Sequence, residues 1–423
     1  MGRTGKILLA LASGILMGLI LRAADNPILL AFGTSLRPLG QIWLHALQMT
    51  IVPLVFCLMA GGIGAVTRMA GSGRVIGFTL VLLAVLLLLA SLIGVAMAYG
   101  LMAVWPVATS GRVFLEGASA LPATPSIVDQ LLDFIPLNPV AAAAQSAMTP
   151  LIVFAAIFGA AATRIEADVG KALFRLLKAV AQTMLVIVHW VLAAAPFGVF
   201  FLGLDAVLRV GLGFAASLVQ LVLMLSVALV IGITIIMLVG ALGSGVGIVR
   251  FARAAFAPQA LAASTQSSMA CLPALMRAAQ VDLKLPPSLV AAVMPLAIST
   301  FRFGNVLGGI TSGLIGAYIC GIHPSAGQIM LAVTIGMLTN VGVIGLPGQA
   351  VLIVAYGPVF AALGTPLAVL TLLIAVFTLP DILDTTANVT GDLAATAIIA
   401  RLFRRTKVAE DVEMKSTATA LEV

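Results

Sequence analysis

The sequence predicts an all-α membrane protein, because it is very apolar and its apolar residues form runs long enough to cross a bilayer. Of the 423 residues, 62% are hydrophobic and 9% are charged, against roughly 25% charged residues in an average soluble protein. So little polar surface cannot cover a water-soluble fold, which excludes a disordered protein, a coiled coil and a nucleic-acid-binding domain. The net charge of +7 therefore indicates contact with a membrane surface.

The first 250 residues contain apolar stretches that predict membrane-spanning helices. The stretch 7–21 follows a basic start, is about as long as one span, and precedes no clear A-x-A cleavage site. It therefore predicts a transmembrane helix rather than a signal peptide. Few polar residues interrupt this part of the chain, which is typical of a scaffold. The further apolar stretches run over roughly 39–66, 77–104, 138–163, 177–204 and 211–248.

After residue 250, polar and helix-breaking residues interrupt the apolar segments. Backbone that leaves the helix at membrane depth must be buried in protein or line a water-filled cavity. The C-terminal third is therefore where we expect the functional site. The predicted breaks are STQSSMACLP (264–273), FRFGN (301–305) and TNVGVIGLPGQ (339–349), whereas DTTANVTGD (384–392) is polar but is predicted to stay helical.

The distribution of basic residues predicts the topology. Applied to the segment ends, the positive-inside rule places both termini in the cytoplasm, as in a multi-pass protein of the inner membrane. The successive segments can alternate between the two sides of the membrane only if two of them do not cross it. We expect 254–276 to enter and leave on the inner side, and 325–365 to enter and leave on the outer side. Each of these re-entrant hairpins precedes a helix with polar residues in its middle, over 285–318 and 366–403. A hairpin and a helix, repeated with opposite topology, form the inverted repeat of secondary transporters.

A stripe of acidic residues is predicted inside the last span. Asp381, Asp384, Asn388 and Asp392 are spaced by three, four and four residues, which places them on one helix face along about 16 Å. Each carboxylate would cost about 2.5–3.5 kcal/mol against lipid, so the stripe must face protein, water or cations, unless the helix lies at the membrane edge. Arg302 is the basic residue deep in a predicted span. It either locks two helices in an ion pair with these aspartates or serves as a built-in cation at a substrate or ion site.

Both predicted hairpins have polar tips. Hydroxyls and free N–H groups at opposed helix ends suit a carboxylate, whereas free carbonyls suit a cation. The first tip carries Ser264, Thr265, Ser267 and Ser268, and the second carries Thr339, Asn340 and the stretch 342–348.

Six motifs resemble those of the glutamate transporter family, also called the dicarboxylate/amino acid:cation symporters. The resemblance covers almost the whole chain, and NVTGD, which is identical to the motif of the family's eighth helix, is the most specific of the set. The motifs are QMTIVPLVFCLMAGGIGAV (48–66), FIPLNP (134–139), APFGVF (195–200), SSMACLP (267–273), GVIGLPG (342–348) and NVTGD (388–392).

The resemblance implies eight transmembrane helices and two re-entrant helical hairpins, assembled as a homotrimer. In the family, helices 1, 2, 4 and 5 form a scaffold, and the other helices with both hairpins slide across the membrane as an elevator. On this chain, residues 1–250 would hold mainly the scaffold, with helices 3 and 6 of the transport domain interleaved. Residues 251–403 would form the transport core, and 404–423 a disordered cytoplasmic tail.

The resemblance also implies site residues. Asp381 would bind the amino group of the substrate, and Asn388 and Asp392 would form a residual sodium site. The resemblance further implies substrate contacts from the side chains of Ser267, Ser268, Thr385 and Asn388 and from the backbone between Val341 and Gly345. Arg302, Asn305 and Asp384, which stand at the same breaks and on the same helix face, are predicted to bind substrate as well.

Two departures from the family pattern affect substrate and ion. Asp384 occupies the place of the arginine that grips the second carboxylate of the substrate. The NMDGT motif of the seventh helix has become FRFGN (301–305), which removes an asparagine and an aspartate used for sodium and inserts Arg302 beside the site. The usual substrate and the usual sodium coupling are therefore not expected to carry over unchanged.

The sequence thus predicts a symporter that moves a dicarboxylate or an amino acid across the inner membrane, with Na⁺ or H⁺ as coupling ion and reduced sodium coupling. The alternatives are a carrier of neutral or cationic amino acids with proton or no cation coupling, and an uncoupled channel or sensor on the same fold. An enzyme is not expected, because an intramembrane aspartyl protease needs a GxGD motif and VTGD lacks its first glycine. The predicted partners are a small-molecule substrate, the lipid bilayer and two further copies of the chain, without nucleic acid.

Overall fold

The computed structural model describes residues 3–24, 26–70, 74–109, 135–145, 147–210, 212–340 and 352–421. Throughout these residues the regular secondary structure is helical, and they contain no β-strand. The predicted all-α class is therefore confirmed.

The first 250 residues form ten described helices, some of which begin at sequence-encoded caps. Asn26 accepts a hydrogen bond from the backbone N–H of Ile28, and Asn138 accepts from Val140 and Ala141, each just before a proline. The helices are α1 (Arg3–Ala23), α2 (Pro27–Ser35), α3 (Arg37–Gln48), α4 (Ile51–Ala70), α5 (Arg74–Val104), α6 (Pro139–Ala144), α7 (Met148–Ala161), α8 (Ala167–Ala193), α9 (Ala195–Val210) and α10 (Leu212–Ser244).

The remaining described residues form eight further α-helices and three short turns of other helix types. The helices are α11 (Ile248–Thr265), α12 (Leu272–Arg277), α13 (Pro287–Thr300), α14 (Phe303–Ile319), α15 (Ala326–Thr339), α16 (Gly357–Ala362), α17 (Leu367–Val376) and α18 (Thr378–Leu421). The turns are a 3₁₀ turn at Met269–Cys271 and π-helical turns at Ala278–Asp282 and Leu352–Tyr356.

Several described helices are long and apolar enough to cross a membrane. There are five such segments in the described part of the chain, or six if α17 and the start of α18, bent by 89°, count as one broken span. Shorter apolar helices such as Leu9–Ala23 and Pro150–Ala161 accompany them. The protein is therefore an integral membrane protein, whereas the number of eight spans stays a prediction.

The predicted span 177–204 is divided between two helices. α8 ends at Ala193 and α9 begins at Ala195, with Pro196 in its first turn. Proline has no backbone N–H to continue the hydrogen bonding of α8, and it is tolerated at the start of a helix. Hydropathy alone does not reveal this break, because Pro196 stands among alanines and other apolar residues and does not interrupt the apolar run.

The helices pack in two sets. α1 packs along α9, which also contacts α3, and α4 packs against α7 and α8. The second set surrounds α18, which contacts α10, α11, α13 and α14, and α5 packs along α14. Although α5 and α10 belong to the first 250 residues, they pack on the C-terminal helices that carry the polar breaks.

The predicted breaks lie between helices. α11 ends at Thr265, and Gln266 takes a left-handed conformation (φ 51°) that turns the chain back, so that α12 and the next π turn pack against α11. Phe301 and Arg302, the first two residues of FRFGN, separate α13 from α14, whereas DTTANVTGD stays within α18. The tip of the second hairpin lies outside the described residues, but its flanking helices α15 and α16 pack against each other.

The disordered cytoplasmic tail over 404–423 stays a prediction. In the structure, α18 is helical as far as Leu421. Alanine, glutamate and lysine recur in this segment, and these residues have high helix propensity. A helix that has already formed in the apolar part of α18 can therefore propagate into them without a nucleation cost.

Candidate functional site

A cavity of about 70 Å³ lies where four breaks in the helical structure meet. These are the tip after α11, the gap between α13 and α14, the turn before α16 and the junction of α17 with α18. The structure brings most of the predicted substrate-binding residues into its walls: Ser267, Ser268, Arg302, Asn305, Asp381, Asp384, Thr385 and Asn388. Of the other predicted site residues, Asp392 is not among the lining residues, and Val341 and Gly345 lie outside the described part of the chain.

Asp384 is the centre of a buried hydrogen-bond network. Its side chain is 3% exposed, and its Oδ2 accepts from the Tyr356 hydroxyl at 3.0 Å. Its Oδ1 accepts from the side-chain amide of Asn388 at 3.3 Å. With the Asn305 amide turned so that its nitrogen faces the carboxylate, this nitrogen donates to Oδ1 at 2.8 Å. In the opposite orientation the Asn305 oxygen accepts from the Asn388 amide nitrogen at 2.9 Å. Both carboxylate oxygens are therefore engaged by side chains of the protein.

Two glycines of α14 permit this network. A Cβ atom on Gly304 would collide with the Asp384 carboxylate and with its backbone carbonyl. A Cβ atom on Gly308 would collide with the Tyr356 hydroxyl. The N–H of Gly304 also donates to Asn388 Oδ1 at 2.8 Å. The close approach of α14 to α18 and to the turn before α16 therefore depends on glycine at these positions.

Tyr356 is a pocket residue that the sequence does not predict. It is fully buried, and its ring packs edge-on against Phe377 with the ring centroids 5.7 Å apart. The chain has only 3 tyrosines, and this one ends the apolar run VLIVAY beside a predicted hairpin. A buried tyrosine hydroxyl needs a hydrogen-bond partner. A tyrosine at the end of an apolar run could therefore have been predicted to face the polar site.

Arg302 lies at the break between α13 and α14 and is 6% exposed. Its guanidinium interacts electrostatically with three carboxylates, most strongly with Asp392, then with Asp384 and Asp381. These are the aspartates that the sequence proposes as its partners. A positive charge held among three carboxylates is compensated by them, at membrane depth where an isolated cation would be costly.

The neighbours of Arg302 are aromatic. The rings of Phe301 and Phe303 are buried, with their centroids 6.4 Å apart. The ring of Phe301 packs against Gly391 of the NVTGD motif. A Cβ atom on Gly391 would lie 2.5 Å from this ring, so the contact requires a glycine. The glycine of this motif therefore accommodates an aromatic ring of the helix break, and the two side chains provide no oxygen ligand for a cation.

Asp392 is completely buried, at 0% exposure. Among the described residues, neither of its carboxylate oxygens has a hydrogen-bond partner. The hydroxyl of Thr396 donates to its backbone carbonyl at 2.8 Å instead. A buried charge without donors is costly, so the electrostatic interaction with Arg302 is important for this carboxylate. The described residues hold no cluster of three or more histidine, cysteine, aspartate or glutamate side chains that could bind a metal ion.

Asp381 and Ser267 form the more accessible side of the cavity. Asp381, in the first turn of α18, is half-buried, and so is Ser267. Ser268 is buried, and its hydroxyl has no hydrogen-bond partner among the described residues. The carboxylate of Asp381 can accept a hydrogen bond and the hydroxyl of Ser267 can donate one, so this side of the cavity can bind a ligand that carries both a donor and an acceptor.

A polar cavity at a place where several helices of an apolar protein are broken is typical of secondary transporters. The chain matches the sodium:dicarboxylate symporter family over residues 4–402, and it belongs to this family. The resemblance inferred from the motifs is thereby confirmed. Because the members of this family are transporters, the expectation that the chain is not an enzyme is also confirmed.

Relatives of the chain differ in the solutes that their names state. It is 27% identical over 405 residues to the proton/glutamate-aspartate symporter of Escherichia coli (strain K12), with 94% of this chain and 92% of that protein covered. It is 26% identical over 401 residues to the C4-dicarboxylate transport protein of Azorhizobium caulinodans, with 94% and 87% covered. It is also 26% identical over 441 residues to the neutral amino acid transporter B(0) of Oryctolagus cuniculus, with 94% and 80% covered.

Proposed function

We propose that the protein is a secondary active transporter that carries a dicarboxylate or an amino acid across the inner membrane, with weak or absent sodium coupling. A proton or no cation takes the place of the usual sodium ions. The observation that carries this proposal is the position of Arg302, a buried cation at the helix break that interacts with Asp392, Asp384 and Asp381.

The charge of Arg302 opposes sodium binding at this place. At 4 Å and an effective dielectric constant of about 20, two unit positive charges repel by about 4 kcal/mol. Sodium is a hard cation that binds through oxygen ligands, and the buried rings of Phe301 and Phe303 supply none. Arg302 therefore takes the place of a bound cation in balancing Asp392, and the residual site of Asn388 and Asp392 binds sodium weakly.

We further propose the elevator division of the chain and its assembly as a homotrimer, with both termini in the cytoplasm. The packing of α5 and α10 on the C-terminal helices supports a transport domain made of these helices and residues 251–403. The separate packing of α1 with α9 and of α4 with α7 and α8 supports a scaffold. A rigid transport domain of this kind would carry the cavity and its substrate together.

The coupling ion is tested by solute uptake in proteoliposomes that contain the purified protein. Uptake is measured with an inward sodium gradient, with an inward proton gradient and with neither, and protein-free liposomes serve as the control. We expect uptake to be nearly independent of sodium and either driven by protons or limited to exchange. Uptake that rises steeply with sodium, with a Hill coefficient well above one, would contradict the proposal. An ion current without saturable solute exchange would favour the uncoupled channel instead.

A further inference from the structure

The walls of the cavity do not carry a surplus positive charge. Among the described lining residues, the charged side chains are one cation, Arg302, and two carboxylates, Asp381 and Asp384. The strongest electrostatic partner of Arg302 is a third carboxylate, that of Asp392. A substrate that enters this cavity therefore meets a balanced or negative field, which disfavours a solute with two carboxylates.

Asp384 contributes its charge to the cavity but does not offer its oxygens to a ligand. The Tyr356 hydroxyl donates to Oδ2, and the side-chain amides of Asn388 and Asn305 face Oδ1. Hydrogen bonds to a charged acceptor are strong and costly to leave unmade. A ligand would have to displace one of these donors to bind Asp384 directly, so a cationic side chain finds no free acceptor there.

Asp381 is the carboxylate available to a ligand, since it is half-buried in the first turn of α18 and lines the cavity. A single ammonium group satisfies it. Ser268, whose hydroxyl has no hydrogen-bond partner among the described residues, also lines the cavity. Leu352 and the paired rings of Tyr356 and Phe377 form an apolar wall.

We infer that the substrate is a small neutral α-amino acid in its zwitterionic form, with the ammonium group on Asp381 and the side chain against Leu352 and Phe377. This inference rests on the proposed transport function and narrows it to one substrate class. A zwitterion brings one positive and one negative charge, so it leaves the charge of the cavity unchanged. A dicarboxylate would lack a cation for its second carboxylate, and a cationic amino acid would lack a second acceptor, because the oxygens of Asp384 are engaged.

The test is counterflow in proteoliposomes, which exchanges labelled for unlabelled solute and needs no ion gradient. Vesicles that contain the full chain are loaded in turn with serine, alanine, aspartate, succinate or arginine, and entry of the same labelled solute is measured. We expect serine and alanine to exchange at least about 10-fold faster than aspartate, succinate and arginine, since tenfold corresponds to a difference of about 1.4 kcal/mol.

Asp384→Asn tests the origin of this preference. The variant removes one negative charge from the wall and keeps the side-chain shape. We expect the serine-to-aspartate ratio to fall about 30-fold, the effect of one unit charge at about 8 Å with an effective dielectric constant of about 20. Asp168→Asn is the matched control, because Asp168 pairs with Lys171 on an exposed face of α8. Its ratio should equal that of the wild type.

Every outcome of this set bears on the inference. Wild-type exchange of aspartate or succinate that exceeds that of serine would overturn it, and so would an unchanged ratio in Asp384→Asn. If Asp384→Asn does not fold, Tyr356→Phe is tested instead, because it removes one donor to Asp384 and keeps the negative charge of Asp384. We expect this variant to exclude aspartate as before, and to admit arginine, which can bind the freed Oδ2 of Asp384. Exclusion of arginine by a folded Tyr356→Phe would contradict the role assigned to the network.

The substrate class and the transport function can fail separately. Steep sodium dependence of serine exchange would contradict the proposed coupling and leave the substrate class intact. If no solute exchanges, the proposed transport function is contradicted. The substrate class is then tested by measuring which solutes raise the Tm of the detergent-solubilised protein. Stabilisation by serine and not by aspartate supports the inference, whereas stabilisation by aspartate, or by none of the five solutes, overturns it.

Discussion

Replacement of Arg302 by methionine should destabilise the protein sharply, because it leaves buried carboxylates without their counter-charge. Asp392 is completely buried, and Arg302 is its electrostatic partner among the charged groups. Loss of one member of a buried pair typically costs about 3–5 kcal/mol. With an unfolding entropy of about 2.1 cal/mol/K per residue, this corresponds to a decrease in Tm of roughly 3–6 °C for a chain of this length.

The assay is thermal unfolding of the purified protein in detergent without sodium, with two comparisons inside the chain. Lys171→Met is the matched control, since Lys171 lies 3.2 Å from Asp168 with 72% and 87% of the two side chains exposed, and exposed pairs contribute about 0–1 kcal/mol. The double variant Arg302→Met/Asp392→Asn should recover part of the loss, because it removes the stranded charge. An NMDGT-like sequence at 301–305 should recover stability only when sodium is present.

One result would refute the reasoning directly. If Arg302→Met is as stable as the wild type in the absence of salt, Arg302 does not balance Asp392, and the argument against sodium loses its basis. Equal stability of the single variant and of the double variant with Asp392→Asn would have the same meaning, because no stranded charge would then exist.

Two further predictions concern Asp384 and the close approach of α14. Asp384→Arg should move the substrate ranking among aspartate, succinate, serine and arginine towards the dicarboxylates, and an unchanged ranking in uptake assays would mean that Asp384 does not act on the bound solute. Gly304→Ala should lower the free energy of unfolding by about 1–3 kcal/mol, because its Cβ collides with the Asp384 carboxylate. Gly100→Ala, with no atom within 4 Å of the new Cβ, should be neutral or stabilising in the same thermal assay, and equal effects of the two alanines would contradict the close approach.

The sequence by itself determines the all-α membrane class, because the scarcity of charge leaves helices as the way to satisfy the backbone within lipid. It also determines that Asp381, Asp384, Asn388 and Asp392 share one face of a continuous helix, since their spacing follows the helical repeat. The break at the start of FRFGN could likewise be predicted, because a charged residue, Arg302, stands within an apolar run. Local spacing decides each of these features.

Only the tertiary structure decides which groups meet that face. Tyr356 lies 28 residues from Asp384 in the sequence and donates to it, and Gly304, which lies 84 residues from Asn388, donates to that side chain. Periodicity specifies which side chains share a face of one helix but not which neighbouring helix packs against it, because that depends on steric fit between distant segments. The sequence therefore identifies Asp384 as a candidate for binding substrate, whereas the packing of α14 and Tyr356 engages its oxygens within the protein.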